Sequence, residues 1–309
     1  KRGELADKEG SVRTIGQIYL GLSGTGKSTL TGHGFWLDDP ERAIMLQDDV
    51  CSLRQDGVVA GSEGGGLYIK TIGLDRETQP ELYDAAIHES AVLENVDVAE
   101  DGTVDFDSDR YTTNSRAVID RDQLPNADDD IDLESTDQVF FITRNPLMPP
   151  IAKLTSEQAA VSFMLGESVQ TSAGDPDAAG ESIRVVGTNP FIMGSRGTEG
   201  NRFYDLIRDL DIDAFVLNTG SIGSDGTDIQ VEETVSLLRA TARGTIDWTD
   251  DEELGMTVPE SVPEMDVDRF HVPSQVRDFE EKHRALCKER REYLARFPDL
   301  REEIKAAAY

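Results

Sequence analysis

Apolar and polar positions alternate along the chain with two different periods, which predict strands and helices in turn. Continuous apolar runs of strand length occupy residues 15–22 (IGQIYLGL), 137–145 (DQVFFITRN) and 213–221 (DAFVLNTGS). Residues 200–210 and 231–244 instead carry apolar side chains at helical spacing. Strands that alternate with helices in this way predict a layered α/β domain.

Turn and cap signals refine this assignment. Residues 58–72 combine strand-forming side chains with a glycine-rich centre and predict a hairpin. Pro80 opens a predicted helix over residues 79–96, and the capping box that starts at Thr155 opens another. Because several strands are predicted to be hairpin-linked, we expect a mixed β-sheet with flanking helices, within a single domain, rather than a purely parallel sheet.

The chain is strongly acidic. Its 309 residues include 61 aspartates and glutamates against 30 lysines and arginines, a formal net charge of −31, and only eight of the basic residues are lysines. The acidic residues are spread between the apolar segments, which keeps a protein hydrated in molar salt, where the Debye length falls to about 3 Å. This composition predicts a halophile's protein, of haloarchaeal type, and argues against nucleic acid as a partner.

The sequence lacks the marks of several other classes of protein. It has no apolar run of the roughly 18–20 residues that a membrane helix needs, and its first residues (KRGELADKEG) lack the apolar centre of a signal peptide. Cys51 and Cys287 form no disulfide framework, and the four histidines show no metal-binding spacing. We therefore expect a cytoplasmic protein with reduced cysteines and no membrane partner.

The segment GLSGTGKST, which follows the first long apolar run, carries the strongest chemical signal. Gly21, Gly26, Lys27 and Ser28 fit the P-loop pattern, with a predicted strand before it and a predicted helix after it. Glycines allow successive backbone N–H groups to point at phosphate oxygens. In such loops the lysine reaches the β- and γ-phosphates and the hydroxyl ligates Mg²⁺. The fold prediction is therefore a P-loop-containing mixed sheet.

Two acidic residues follow the next apolar run. Residues 43–46 (AIML) form a predicted buried strand, and Asp48 and Asp49 come just after it. A carboxylate at the end of such a strand lies beside the Mg²⁺–phosphate site in P-loop enzymes. Two adjacent acids can also serve two cations, one on the nucleotide and one on a second substrate.

These motifs and several later ones, taken in order, resemble the ATP-dependent phosphoenolpyruvate carboxykinase family. GLSGTGKST is similar to that family's GLSGTGKTT, and MLQDD is similar to its LIGDD, at a closely similar distance. GGLYIKTIGL, ELYDAAIHESAVLENV, DGTVDFDSDRYTTNSR, QVFFITRNPLMPPIAKLTSEQA and VLNTG have counterparts as well. The resemblance extends from about residue 16 to about residue 240.

The resemblance implies an activity. Members of the family convert oxaloacetate and ATP into phosphoenolpyruvate, CO₂ and ADP, a step of gluconeogenesis, with Mg²⁺ and Mn²⁺ as cofactors. The enolate oxygen formed on loss of CO₂ attacks the γ-phosphate, a transfer that needs positioning and cations more than covalent help. ATP and oxaloacetate are therefore the substrates that the resemblance implies.

The resemblance also implies roles for particular residues. The implied catalytic residues are Lys27, Asp48, Asp49, Lys70 and Arg116. Lys70 would meet the γ-phosphoryl group, and Arg116 would bridge substrate and phosphate. Asp49 would ligate Mn²⁺, while Asp48 and Ser28 would lie at the Mg²⁺ site. The residues implied to contact the nucleotide are Gly21, Leu22, Ser23, Gly24, Thr25, Gly26, Lys27, Ser28, Thr29, Gln79, Arg116, Ile229 and Thr234.

The sequence departs from the family's pattern in three places. The family's other Mn²⁺ ligands, a lysine and a histidine, lie before the P-loop, where this chain has no histidine. Gln79 replaces a glutamate, and Asp228 replaces an arginine beside the adenine. We therefore expect residues 1–14 to be a linker or the remnant of an absent N-terminal lobe. That lobe would be required for a complete site. Residues 15–309 would be the ATP-binding lobe, with a helical tail over 274–309.

Two alternatives stay open on the sequence. A P-loop kinase of the same fold would phosphorylate another small-molecule or protein acceptor without decarboxylation. A non-catalytic regulatory module would bind ATP without turnover. For this chain alone we expect binding of ATP with Mg²⁺ and little or no carboxykinase activity.

Overall fold

The computed structural model of the chain describes residues 1–22, 24–48, 50–62, 64–169, 182–223 and 226–309. Its strands, in chain order, are β1 (Arg2–Ala6), β2 (Val12–Leu20), β3 (Arg42–Ile44), β4 (Cys51–Leu53), β5 (Val59–Gly61), β6 (Gly66–Lys70), β7 (Val92–Glu94), β8 (Asp97–Val98), β9 (Val104–Asp105), β10 (Arg116–Asp120), β11 (Gln138–Thr143), β12 (Ile151–Leu154), β13 (Glu167–Val169), β14 (Ser182–Arg184), β15 (Asp213–Asn218), β16 (Ser221–Ile222), β17 (Thr227–Asp228), β18 (Asp247–Asp251) and β19 (Met256–Ser261).

The helices are α1 (Lys27–Gly32), α2 (Pro80–Ala86), α3 (Ser156–Leu165), α4 (Arg196–Asp209), α5 (Val231–Arg243), α6 (Val272–Gln275), α7 (Phe279–Leu294) and α8 (Glu302–Ala306). Within the described ranges, no helix has both the length and the apolar composition that crossing a membrane would need.

Eight strands form the main sheet, in the order β18–β19–β12–β15–β11–β2–β1–β3. β2, β11 and β15 run parallel to one another, whereas the strands on either side of this trio pair antiparallel. The prediction of an α/β fold with a mixed sheet is thereby confirmed. The carboxyl ends of the three parallel strands meet at one edge, which is where open α/β sheets bind ligands.

The central strands are covered on both faces. Alternate side chains of β11 enter two cores, one shared with α3, α4, α7 and α8 and the other shared with α5. In the second core the rings of Tyr19, Phe140 and Phe215 stack across adjacent strands, with centroids 5.3 and 5.1 Å apart. Burial on both faces is the reason that these strands are continuously apolar in the sequence.

A smaller antiparallel sheet lies beside the main one, with strand order β6–β10–β7. Ile69 and Ile119 on one face pack with Leu82 of α2 in a core of their own. Because side chains alternate along a strand, the opposite face carries Lys70 and Arg116, which are paired in register. This sheet therefore presents two predicted site residues on one surface.

Helix caps and the C-terminal tail agree with the sequence. Thr155 Oγ1 accepts a hydrogen bond from the Gln158 N–H at 3.2 Å, and Gln158 Oε1 accepts one from the Thr155 N–H at 3.1 Å, which confirms the capping box. The tail over 274–309 contains α7 and α8. α7 has a solvated outer face, and its buried residues are Phe279, Cys287, Arg290 and Leu294.

Two local predictions are wrong. Residues 58–72 do not form a hairpin, because β5 pairs with β4 while β6 pairs with β10. The glycines serve a close approach instead, since a Cβ on Gly66 would lie 2.0 Å from the carbonyl oxygen of Ile119. Residues 79–96 are not one helix, because α2 ends at Ala86 and the chain then pairs with β10 as β7.

The first residues of the chain lie inside the main sheet. β1 is placed between β2 and β3 and pairs with both. The Lys1 ammonium donates to the carbonyls of Leu30 and Thr31 in α1, at 2.8 Å each. The predicted boundary between residues 14 and 15 thus falls within β2, and the segment before it is packed as part of the fold. A preceding lobe stays a prediction.

Candidate functional site

A cleft of about 1300 Å³ opens at the carboxyl edge of the parallel strands. Three connections that leave these strands line it, namely the loop after β2, Arg144 after β11 and Thr219 after β15. Side chains of β6 and β10 line it as well. All the predicted site residues that the structure describes lie along this one cleft. Ser23 and Asp49 are outside the described residues.

The loop between β2 and α1 is tight, and its shape depends on glycine. Gly24 and Gly26 have φ values of 78° and 99°, in the left-handed region that favours glycine. A Cβ on Gly21 would lie 2.6 Å from Thr25 Oγ1. That hydroxyl donates to the carbonyl oxygen of Leu22 at 2.8 Å, so the loop is closed by its own side chain.

Lys27 is the first residue of α1, and its side chain folds back over the loop. Its Nζ donates to the Leu22 carbonyl oxygen at 3.4 Å. Thr219 Oγ1 donates to the Thr25 carbonyl oxygen at 2.8 Å and ties the connection after β15 to the same loop. The described part of the loop therefore offers backbone groups and one ammonium to the same volume.

Asp48 reaches the cleft from a strand shorter than predicted. β3 ends at Ile44, Met45 makes only an isolated bridge, and Asp48 lies beyond it on the cleft wall. Asp48 and Ser28 present the oxygen ligands that Mg²⁺ prefers, together with phosphate oxygens and water. The described residues contain no group of three or more His, Cys, Asp or Glu placed to hold a metal. Asp48 and Ser28 therefore fit a Mg²⁺ ion that arrives with a nucleotide.

Arg116 is held in the cleft wall by its neighbours on the small sheet. Its guanidinium lies over the Tyr68 ring, 5.0 Å from the centroid, and its Nε donates to Asn114 Oδ1 at 3.1 Å. The Tyr68 hydroxyl in turn donates to the Glu94 carboxylate. Lys70 stands directly opposite Arg116 across the strand pair. The two cations thus occupy defined neighbouring positions.

The pKa of Lys70 is lowered by burial and by two neighbouring arginines. Partial burial lowers the pKa of Lys70, and the positive charges of Arg144 and Arg116 lower it further. Burial also lowers the pKa of Arg144, although its side chain still meets solvent through the cleft. Cations that disfavour one another in this way are stabilised when an anion enters the space that they share.

The lining of the cleft reverses the charge sign of the chain. Its described charged side chains are four cations against two acids, namely Lys27, Lys70, Arg116 and Arg144 against Asp48 and Asp120. The whole chain has 30 basic and 61 acidic residues. In such a negative field, cations gathered in one cavity indicate an anionic ligand.

The three remaining predicted nucleotide contacts shape the walls of the cleft. Gln79 is buried, and its Nε2 donates to the Gly73 carbonyl oxygen at 3.1 Å. Thr234 is buried in α5, where its Oγ1 donates to the Gln230 carbonyl oxygen at 3.1 Å. Ile229 contributes an apolar side chain. The polar groups named here are engaged by the protein itself in this structure.

Sequence reasoning missed Arg144 and Thr219 as site residues. Each directly follows the last residue of a buried parallel strand, β11 or β15. A polar or charged residue at the carboxyl end of an apolar strand in an α/β protein lies where ligands bind. That position in the sequence was the signal that could have found both.

Comparison with known proteins shows which family the chain belongs to. A family model described as phosphoenolpyruvate carboxykinase matches residues 6–268, a range that contains all the cleft residues named above. The chain belongs to the phosphoenolpyruvate carboxykinase family. The resemblance inferred from the motifs is thereby confirmed.

Individual relatives agree with the family match. The phosphoenolpyruvate carboxykinase (ATP) of Aeropyrum pernix is 40% identical over 256 residues, which cover 81% of this chain and 50% of that protein. Proteins of the same name from Alkaliphilus oremlandii and Azorhizobium caulinodans are 31% identical over 308 residues and 33% identical over 270 residues. These two matches cover 93% and 84% of this chain, and 56% and 48% of the relatives. The chain spans about half the length of the curated relatives that it matches.

Proposed function

We propose that this chain is the nucleotide-binding part of an ATP-dependent phosphoenolpyruvate carboxykinase. The parent protein would convert oxaloacetate and ATP into phosphoenolpyruvate, CO₂ and ADP. The observation that carries the proposal is the meeting of the glycine loop, Asp48, Lys70 and Arg116 in one cation-lined cleft of a family member. The name shared by the relatives, phosphoenolpyruvate carboxykinase (ATP), supports the choice of nucleotide.

The loop between β2 and α1 would hold the phosphate chain of ATP. Backbone N–H groups of Gly24 and Gly26 would face phosphate oxygens, and the Lys27 ammonium would neutralise them. Ser28 and Asp48 would hold the Mg²⁺ ion that accompanies the nucleotide. Bound Mg²⁺ and Mn²⁺ supply positive charge where negative charge develops on oxygen.

Lys70 and Arg116 would stabilise the transfer itself. When oxaloacetate loses CO₂, the pyruvate enolate is left with a nucleophilic oxygen, and that oxygen attacks the terminal phosphorus while ADP leaves. Negative charge therefore builds on the transferred group, between the two reacting oxygens. Lys70 would bind this group, and Arg116 would bridge it to the substrate, because donors fixed in advance stabilise a transition state most effectively.

The proposal extends to the rest of the nucleotide, to Mn²⁺ and to oxaloacetate. Gln79, Ile229 and Thr234 would form the wall on the base and ribose side of the nucleotide. Asp49 would ligate Mn²⁺ together with residues that precede residue 1 in the parent protein. We expect the parent's additional lobe to grip oxaloacetate and to complete the site.

A coupled assay tests the proposal. The full-length parent, in molar KCl with Mg²⁺ and Mn²⁺, is expected to form phosphoenolpyruvate from oxaloacetate and ATP. Consumption of ATP only with another acceptor would identify a kinase, and ATP binding without any turnover by the parent would identify a regulatory module. The 309-residue chain alone is expected to bind ATP with Mg²⁺ and to show little or no turnover.

A further inference from the structure

Arg144 is a cleft cation to which the proposed function assigns no task. It follows β11, the strand between the one that leads to the glycine loop and the one that leads to Thr219. It lines the cleft together with Lys27, Lys70 and Arg116. A guanidinium at this edge of the sheet therefore faces the volume where an anionic ligand would lie.

The backbone on both sides of Arg144 is fixed. Thr143 accepts a hydrogen bond from the Thr219 N–H at its carbonyl oxygen, at 3.0 Å, and its Oγ1 accepts one from the Asn145 N–H at 3.2 Å. The side chain of Asn218 donates to the Asn145 carbonyl oxygen at 3.0 Å. The position from which the Arg144 side chain starts is therefore set by the ends of two parallel strands.

The same contacts connect Arg144 to the glycine loop. Thr219, bonded to Thr143, also donates to the Thr25 carbonyl oxygen at 2.8 Å. Gly220 packs directly against Arg144, since a Cβ there would lie 3.1 Å from the Arg144 Cβ. Two hydrogen bonds of Thr219 thus link the residue before Arg144 to the loop that would hold the phosphates.

Within the described part of the chain, the guanidinium of Arg144 differs from other arginines in its contacts. Arg184, Arg243, Arg290 and Arg301 each form an ion pair with a carboxylate at 2.9 Å or less. Among the described residues, no hydrogen bond or ion pair to Arg144 is found. In a chain with twice as many acids as bases, this separation from carboxylates keeps the N–H donors of the Arg144 guanidinium available to an anion.

The position of Lys70 in the same cleft indicates which anion Arg144 would bind. Lys70, the last residue of β6 in the small sheet, and Arg144, which follows β11 of the main sheet, line the same cleft, and the positive charge of Arg144 lowers the pKa of Lys70. An anion shared by both side chains lies between the two sheets, beyond the part of the phosphate chain that the loop and Lys27 surround. For a nucleoside triphosphate held by its phosphates, that anion is the terminal phosphate.

We propose that Arg144 binds the terminal phosphate of the nucleotide together with Lys70 and thereby selects triphosphate over diphosphate. This inference rests on the proposed function, because it assumes that a nucleotide occupies the cleft. It adds a specificity-determining residue to that site.

Calorimetric titration of the 309-residue chain with MgATP and with MgADP tests the inference. Arg144→Gln is expected to weaken MgATP binding by about 10-fold or more, the size typical of a charge-assisted hydrogen bond, and to change MgADP binding by less than about twofold. Arg144→Lys keeps the positive charge but lacks the paired N–H donors of a guanidinium, and it is expected to bind MgATP more tightly than Arg144→Gln but less tightly than the unaltered chain. The matched control is Arg284→Gln, which removes an exposed arginine of α7 and should leave both affinities within about twofold.

The outcomes separate the two proposals. If the unaltered chain binds neither nucleotide, the nucleotide site fails and the Arg144 assignment fails with it. If the chain binds MgATP and Arg144→Gln binds it equally well, the assignment is overturned while the proposed function stands. Equal losses for MgATP and MgADP would also overturn it. Should Arg144→Gln unfold, Arg144→Lys decides, because a loss confined to MgATP supports the assignment and unchanged binding contradicts it.

Discussion

Arg144 precedes Asn145 in the chain, Arg290 shares a carboxylate partner with Asn145, and the two arginines differ in what surrounds their charge. The Asn145 side chain donates to Glu167 Oε1 at 2.7 Å, and Arg290 Nη2 donates to the same oxygen at 2.8 Å. Arg144, the residue before Asn145, faces the cleft instead. One arginine is therefore neutralised inside the protein, and the other faces solvent where a ligand would bind.

The region around Glu167 is a closed network. The side chains of Glu167 and Arg290 are only 6% and 3% exposed. Arg184 Nε donates to Glu167 Oε2 at 2.9 Å, and Arg290 Nη1 donates to the Tyr309 carbonyl oxygen at 2.5 Å. Burial raises the pKa of Glu167, but Arg290, Arg184 and Asn145 outweigh burial and bring that pKa to about 2.

The difference between the two regions shows how a chain this acidic uses its few cations. Ion pairs that are satisfied within the protein fix the tail against the sheet, whereas cations gathered in the cleft with few acids give an anion a place to bind. Substitutions in the Glu167 network should therefore change stability, and substitutions among the cleft cations should change affinity for the nucleotide.

The largest expected effect is on stability, from removing Arg290. Arg290→Met leaves Glu167 buried with only Arg184 and Asn145 as partners among those named here, and the free energy of unfolding is expected to fall by about 3–5 kcal/mol. Denaturant unfolding in molar KCl measures it, with Arg284→Met on the exposed side of α7 as the control. An effect no larger than that of the control would contradict the comparison.

Lowering the pH should remove the stabilisation that the Glu167 network provides. A carboxyl group whose folded pKa is about 2 and whose ordinary value is 4.5 stabilises the fold fully above about pH 5, and loses that contribution as the pH falls towards 2. The contribution amounts to about 3 kcal/mol. Unfolding free energies measured from pH 6 downward should fall more steeply for the unaltered chain than for Glu167→Gln. Parallel pH profiles for the two proteins would refute this assignment.

In the cleft, the largest effect should come from Lys27. Lys27→Ala is expected to weaken MgATP binding by about 100-fold or more, since an ammonium bonded to phosphate contributes up to about 3 kcal/mol, and to leave the unfolding midpoint nearly unchanged. Lys282→Ala, on the exposed surface of α7, is the matched control. Unaltered MgATP affinity in Lys27→Ala would count against the phosphate assignment of the loop.

Salt should raise the thermal stability of the chain and lower its affinity for MgATP, and both effects should be smaller than those above. Raising KCl from about 0.5 M to about 3 M screens the repulsion among surface acids and should raise the melting temperature. The same screening weakens attraction between the cleft cations and phosphate, so MgATP affinity should fall by a few-fold. Melting curves and titrations at several KCl concentrations would show it, and a parallel rise of both would contradict the account.

The parts of the molecule that sequence predicted well are local in the chain. The capping box at Thr155 lies in four consecutive residues, so its geometry follows from spacing alone. The mixed character of the sheet followed from the order of strands and helices. Each of these depends on neighbours along the sequence rather than on distant pairing.

What sequence could not predict depends on pairing between distant segments. The glycine-rich stretch before Lys70 looks like a hairpin turn, but β6 pairs with β10, about 50 residues later. β1 looked peripheral because only its partners β2 and β3 place it inside the sheet. Arg144 is a single residue after a long apolar strand, and the cleft that it shares with Lys70 follows only from how segments distant in the chain come together.

The central claim is that the cation-lined cleft holds the phosphates of a nucleotide. A crystal structure of the 309-residue chain with Mg²⁺ and a non-hydrolysable ATP analogue tests it most directly. We predict phosphate oxygens within hydrogen-bonding distance of Lys27 Nζ, with the terminal phosphate reaching Arg144 and Lys70. A nucleotide bound outside this cleft, or one whose phosphates point away from all three side chains, would contradict it.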